Sequence, residues 1–421
     1  MSRRSVEPYI RMGRITVHAS GAGRSKSGPG WYGNGRELYL QRMDTPPGQT
    51  RMDWNAFRER FPALEGTAYL NTAGGGALSR EAAAAGMAYY TEHLEEGDAA
   101  WSRWLARVES VRARTARAFG AEAEDVSFLQ NASLGLNVVA RSFPSGTRVV
   151  VLENEFPSCT TPFMAAGHVL HRMPVPASGK VTAEDLDRHL TSDHTLFVIS
   201  SVQYATGFRA DLKALSAVCR SKGVGFVVDA TQSVGAFPVR LDADGVDYLV
   251  FSGYKWATAG YGIAVLLTSR GAPGREGLPP LTGWRSAKRA YDLENDRMDF
   301  WPTGIGHEMG HPLFPGIFTF GAALDVLERA GIQAIGDRIL SLSGHLVDAL
   351  RIEGYTIRSR TSTNERSGIV LVDASDPHAL TSRLAQRNVF VSPRGGGLRA
   401  SVHAYNSEED VDRFMAGLRA G

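Results

Sequence analysis

The sequence predicts an α/β protein with a mostly parallel mixed sheet sandwiched by helices, followed by a smaller α+β C-terminal domain. Three observations carry this. Five short apolar runs rich in β-branched residues recur between residues 147 and 269. A helical segment separates two of them at strand–helix–strand spacing. Near residue 317 the pattern changes to a long helical stretch, then to short strands alternating with helices.

The five runs are "TRVVVLEN" (147–154), "TLFVISSV" (195–202), "VGFVVDA" (224–230), "VDYLVFS" (246–252) and "YGIAVLLTS" (261–269). Each is apolar without alternation, as expected of a strand buried on both faces. Between the second and third lies "DLKALSAVCRSKG", where Leu212, Leu215, Val218 and Cys219 share one helical face. Gly223 stands where a C-cap belongs. In the C-terminal part, "FTFGAALDVLERAGIQAIGDRILSLSGHLVDALRIEG" reads as helix with a break near Gly331. Then follow "SGIVLVDA", a helix "PHALTSRLAQRN", "VFVSP", "LRASVHAY" and a last helix "SEEDVDRFMAGLR". The expected organisation is a large α/β domain over 76–310 and a small domain over 311–421, with 52–75 packing on the latter. Positions 1–36 hold seven Arg/Lys against one acid, Glu7. Residues 1–51 read as a disordered extension, or as sequence upstream of a true start at Met43 or Met52.

Bulk composition excludes several classes. Forty-six basic residues balance 44 acidic ones, so no nucleic acid and no membrane surface is expected as partner. No apolar run reaches the roughly 18 residues of a membrane helix. The two cysteines, Cys159 and Cys219, form no disulfide framework and point to a reducing, cytoplasmic compartment. Neither lies at metal-ligand spacing from another Cys or His.

Ligands of open α/β sheets bind beyond the carboxyl ends of the strands, so the residues that follow each strand carry the chemistry. After "VGFVV" come Asp229 and Gln232; after "VDYLVF" come Ser252, Tyr254 and Lys255. After "SFLQ" comes "NASLGLNVVA", with Ser133 at the start of an apolar-periodic helix, and after "VVVLEN" come Glu155 and Phe156. Pyridoxal phosphate uses this whole set. It needs a lysine amine for its aldehyde and a carboxylate against its pyridine nitrogen. It also needs a helix N-terminus with hydroxyls for its phosphate, and a flat side chain over the ring. Lys255, Asp229, Ser133 with Ser252, and Phe156 supply these in turn. Singly, each has an ordinary structural use, as surface lysine, turn aspartate, cap serine or core ring. The force lies in their order along successive strand ends.

The stretch "VVDATQSVGAFPVRLDADGVDYLVFSGYKW" resembles the core of the class V aminotransferase family of fold-type I pyridoxal phosphate enzymes. That group includes cysteine desulfurases, isopenicillin N epimerase-like proteins and kynureninases. The similarity runs from "YLNTAGGG" to "LRASVHAYN". The resemblance implies Lys255 as the Schiff-base lysine, Asp229 opposite the pyridine nitrogen, and Gln232 on the ring hydroxyl or the aldimine. It implies a phosphate site from the Ala132 backbone, Ser133, Ser252 and Tyr254, with Phe156 stacked on the ring. Desulfurases usually carry His at the Phe156 and Tyr254 positions. Tyr204 stands where many relatives place an Asn near the ring; the roles of Tyr204, Gln203, Cys159 and His403 stay open. Arg399 matches the arginine that forks onto the substrate α-carboxylate. The resemblance further implies a homodimer with shared active sites.

The expected function is therefore a pyridoxal phosphate enzyme acting on an α-amino acid, as a lyase or an aminotransferase. A persulfide-forming cysteine desulfurase needs a nucleophilic Cys in the C-terminal half, and no Cys follows Cys219. An amino-acid epimerase and a cofactor-binding regulatory protein are the alternatives. A zinc peptidase is suggested only by "GHEMGHP", which contains a literal H-E-x-x-H at His307, Glu308 and His311. Zinc requires that motif on continuous helix. Here Gly306, Gly310 and Pro312 read as loop, so no metal site is expected. Relatives place a loop of the form F-E-x-G-T-P here, and the resemblance makes His311 a phosphate donor across a dimer interface. Trp284 in "LTGWRS" resembles a kynureninase tryptophan that reaches across in the same way.

Overall fold

The computed structural model describes residues 52–419 apart from 277, 278 and 297, and elements are numbered here along that span. The reading of 1–51 as a disordered extension lies outside the described residues. The chain enters through α1 (Trp54–Arg58), capped by Asp53, and β1 (Ala68–Tyr69). Two long helices follow, α2 (Arg80–Glu96) and α3 (Trp101–Phe119). Ser79 caps the first through the Ala82 N–H, and left-handed Gly120 stops the second. In α3, Trp104, Val108, Val111, Thr115 and Phe119 recur every three or four residues and are buried.

The large sheet holds β2 (Val126–Leu129), β3 (Arg148–Leu152), β4 (Val169–Met173), β5 (Leu196–Ser200), β6 (Gly225–Asp229), β7 (Tyr248–Ser252) and β8 (Ala264–Thr268). Its order is β2-β8-β7-β6-β5-β3-β4. Strands β3 to β7 pair in parallel, and β8 runs antiparallel to both its neighbours. Every residue of β5 to β8 is buried, which is why these strands are continuously apolar. The crossovers carry α4 (Ala132–Arg141), α5 (Thr161–Ala165), α6 (Ala183–His189) and α7 (Leu212–Lys222). Helix α7 is bounded by Asp211 and left-handed Gly223, as its sequence predicts.

Helix α8 (Phe314–Ala330) lies against α2 and α3, where Tyr89, Trp104 and Phe314 meet with ring centroids 4.9–5.5 Å apart. Gly331, at φ 82°, makes the predicted break before α9 (Ile332–Ile352). The small antiparallel sheet has the order β11-β12-β9, from β9 (Ile369–Asp373), β11 (Ser392–Arg394) and β12 (Gly397–Ser401). Beside it β10 (Val389–Phe390) pairs in parallel with β1. Side chains of α9, α10 (Pro377–Ala385) and α11 (Glu408–Arg419) complete its core. The N-terminal segment is pinned here too. Phe61 packs on Tyr405, and Arg58 reaches Asp410 at 2.7 Å and the carbonyls of Leu64, Thr67 and Tyr405.

Candidate active site

The carboxyl ends of β5, β6 and β7 deliver the polar cluster. Strand β6 ends on Asp229, whose Oδ1 accepts the Thr231 N–H at 2.9 Å. Strand β7 ends on Ser252, whose Oγ accepts the Ala132 N–H at 2.9 Å at the start of α4. The chain then turns through Tyr254 and Lys255, and that turn is over-determined. The Gly76 N–H donates to the Tyr254 carbonyl at 2.8 Å, and a Cβ on Gly76 would overlap the Lys255 carbonyl oxygen. Thr258, buried and left-handed at φ 52°, closes the turn by donating its N–H to the Lys255 carbonyl at 3.1 Å. A non-glycine residue at positive φ is strain, which fold-level packing must sustain.

Lys255 is only 8% exposed. Its Nζ lies 5.7 Å from the Phe156 ring centroid and 5.4 Å from that of Tyr254. Burial lowers its pKa to about 8, against the pull of Asp229 and with help from Arg399 and Arg394. The amine is therefore neutral far more often than an ordinary lysine. Phe156 is 39% exposed and stands edge-on to Tyr204 at 5.3 Å. Tyr254 stacks on Tyr261 at 4.4 Å. Arg399 is 2% exposed and donates from Nη1 to the Tyr204 carbonyl at 2.6 Å, while its buried Nε has no partner. Burial, then Arg394, lowers its pKa to about 10.

Other predicted residues are placed differently from their simplest reading. The cap of α4 is Asn131, whose Oδ1 accepts the Leu134 N–H at 2.9 Å. Ser133 is the second helical residue, with Oγ 2.8 Å from Ser158 Oγ. Gln232 is largely committed: Oε1 accepts from Trp256 Nε1 at 2.7 Å and Nε2 donates to the Ala73 carbonyl at 3.1 Å. One N–H remains for a ligand. Gln203 shapes its own loop, accepting the N–H groups of Ala205 and Thr206. His403 is buried and neutral; its Nε2–H faces the Trp256 carbonyl at 3.1 Å.

Beneath Asp229 lies a buried network without a role assigned from sequence. Glu155 accepts from the Ser200 N–H (2.8 Å), the Ser200 hydroxyl (2.6 Å) and the Phe156 N–H (3.1 Å). Cys159 Sγ lies 3.8 Å from Ser200 Oγ and 3.9 Å from Asp229 Oδ2. Burial, then the charges of Glu155 and Asp229, drive the thiol far above its usual pKa, so it donates S–H and is no nucleophile. Burial also raises Glu155. The position of Glu155, after a strand and before Phe156, was the available signal.

The three side chains of "HEMGHP" diverge. Gly304–His307 is a single 3₁₀ turn, and helix resumes only at Phe314. Glu308 pairs with buried Arg112 at 2.6 Å and accepts the Phe128 N–H at 2.8 Å. His307 lines a water-sized cavity of about 20 Å³ with Tyr248, Arg275 and Trp301, where burial lowers its pKa to about 4. His311 is exposed, edge-on to Trp101 (5.3 Å) and Trp284 (5.1 Å). Among the described residues no three His, Cys, Asp or Glu group as a metal site. Trp284 and His311 thus meet each other, in a patch with exposed Tyr291.

A buried lysine of depressed pKa beside a carboxylate, at the carboxyl end of a mostly parallel sheet, defines a cofactor-dependent α/β enzyme. The chain belongs to the class V aminotransferase family of pyridoxal phosphate-dependent enzymes: that family's model, aminotransferase class-V, matches residues 68–414. An uncharacterized aminotransferase, YcbU, of Bacillus subtilis is 24% identical, covering 86% of this chain and 97% of its own. A kynureninase of Bacillus anthracis is 25% identical, covering 84% and 88%. The apo structure of a cysteine desulfurase from Thermococcus onnurineus shares the fold at a TM-score of 0.79 and 22% identity, over 87% of this chain and 97% of that one.

Proposed function

We propose that this chain acts on an α-amino acid as a lyase or an aminotransferase, with pyridoxal 5'-phosphate held on Lys255. The observation that carries the reading is the Lys255 amine: buried beside the Phe156 and Tyr254 rings, within the field of Asp229, and lowered in pKa to about 8. When bound, the cofactor supplies an electron sink for charge developing at the substrate α-carbon. Asp229 would face the pyridine nitrogen and Phe156 would cover the ring. The start of α4, with Ser133, Ser252 and Tyr254, would hold the phosphate, and the Ala132 N–H, which donates to Ser252 Oγ, would orient that hydroxyl rather than reach the phosphate itself. The remaining N–H of Gln232 would be available to the ring hydroxyl. Arg399 takes the α-carboxylate, the anion its buried, unpartnered Nε lacks. Lys255 Nζ is the base placed to move the α-proton.

Persulfide relay is not part of this reading. Both thiols are buried, and burial also raises Cys219, to about 12. A homodimer is part of it, with Trp284 and His311 of each subunit serving the other's phosphate. The exposed apolar side chains Met87, Tyr90 and Leu94 on α2 support a partner surface. We also propose the division into a large domain over 76–310 and a small one over 311–421, with 52–75 on the latter, and a cytoplasmic setting. Among the described residues no helix is long and apolar enough to cross a membrane.

Purified protein reconstituted with pyridoxal phosphate is expected to show a visible absorption band that borohydride abolishes. Lys255→Ala is expected to lack it; identical behaviour of the two proteins would sink the proposal. A panel of amino acids assayed for ketoacid, ammonia, sulfide, alanine and racemisation then separates lyase, aminotransferase and epimerase.

A further inference from the structure

The hairpin β11–β12 turns through Gly395 and Gly396, both left-handed at φ 56° and 74°, a two-residue loop of the I′ kind. Its register pairs Ser392 with Arg399 and Arg394 with Gly397. Directly opposed residues share a face, and so do residues two apart on one strand. Ser392, Arg394 and Arg399 therefore stand on one face, and Gly397 leaves the place beside Arg394 without a side chain. Arg399 forms the buried end of this row and Arg394 the exposed rim. The turn sits by the loop that carries Tyr204: a Cβ on Gly395 would touch Ala205 at 3.6 Å.

One acid, Asp373, stands on the same face opposite Gly397, and it is paired with Arg358 at 3.6 Å. The Arg394 guanidinium makes no hydrogen bond or ion pair with any described residue, and it is close enough to depress the proton affinity of both Arg399 and Lys255. Ser392 Oγ and Arg399 Nε are both buried without a partner. One carboxylate on Arg399 leaves the rim arginine unanswered.

We propose that Arg394 holds a second acidic group carried on the substrate side chain, so that the site selects α-amino acids with an acidic side chain. This rests on the reading of Arg399 as the α-carboxylate site. Diagonal neighbours on adjacent strands are about 7–8 Å apart, which suits two carboxylates separated by a few carbons. A planar guanidinium at the rim can fork onto the second one while the first is gripped below.

The test is a titration of the cofactor-loaded protein with glutarate and with butyrate, followed by the cofactor absorption and by calorimetry. Glutarate is expected to bind about tenfold more tightly than butyrate. Arg394→Gln is expected to erase that gap, and Arg394→Lys to restore part of it. Arg399→Ala is expected to weaken both ligands. Equal binding of the two acids by the wild type, or an undiminished gap in Arg394→Gln, overturns the assignment of Arg394 alone. If no borohydride-sensitive band forms, or Arg399→Ala leaves butyrate binding intact, the underlying reading of the site falls instead.

Discussion

At the residue scale the decisive quantity is the proton on Lys255. Only a neutral amine attacks an aldehyde, and burial brings Lys255 down from 10.5 to about 8. The rate at which the cofactor-free protein captures pyridoxal phosphate is therefore expected to rise through about pH 8 and level off above it. A rate still climbing at pH 10 would mean an ordinary solvated lysine. The thiols give a second expectation at this scale. Cys159 and Cys219 are 0% and 1% exposed, so a thiol reagent should find neither in the native protein and both after unfolding. A fast-reacting thiol in the folded state would contradict the role of Cys159 as a buried donor beside Asp229.

At the element scale the site depends on contacts made far from it in sequence. The residues after β1 press glycine against the Lys255 turn. Gly76→Ala is expected to displace that turn and weaken cofactor retention at least tenfold, read by dialysis of the loaded protein. Helix α3 and the loop before α8 are joined by Arg112 and Glu308, which also serve the Val126 carbonyl and the Phe128 N–H on β2. Burial by itself would lower the Arg112 pKa, but Glu308 and Glu109 overcome that and raise it. Removing one partner of a buried pair typically costs about 3–5 kcal/mol. Glu308→Ala should thus lose about that much in denaturant unfolding. A loss below about 1 kcal/mol would make the pair no more than an exposed one. This is the use the fold makes of the glutamate in "HEMGHP": a tie between helix and sheet.

At the scale of the whole molecule, buried neutral histidines supply an acid-sensitive part of the stability, which carboxyls raised by burial, such as Glu155 and Asp247, oppose in part. Burial lowers His307 and His403 from 6.5 to about 4, and lowers His194 as well. The unfolded chain protonates these groups near pH 6.5 while the folded one resists. Their contribution is therefore full above that pH and falls as pH drops towards 4, by about 1.4 kcal/mol per pH unit for His307 and for His403. Melting temperature should decline over that window, and His403→Phe should flatten the decline. An unchanged slope would remove His403 from the account. The same scale explains what was legible beforehand. The strands β5 to β8 were plain from composition, because a strand covered on both faces must be apolar throughout. The gathering of Lys255, Asp229 and Ser252 at neighbouring strand ends was legible because a parallel sheet brings the residues after its strands to one edge in chain order. The surroundings of Glu155 and Arg394 were not, since they come from other segments: Ser200 for one, the hairpin register with Arg399 for the other. The sequence by itself determined the fold class, the helix ends at Gly223 and Gly331, and which residues stand at the strand ends. These follow from local pattern and backbone geometry. Only the tertiary structure decided which charges are buried together, that Gln232 has one N–H to spare, and that His307, Glu308 and His311 face apart. Those outcomes depend on desolvation and through-space contact, which segments distant in sequence create only when they pack.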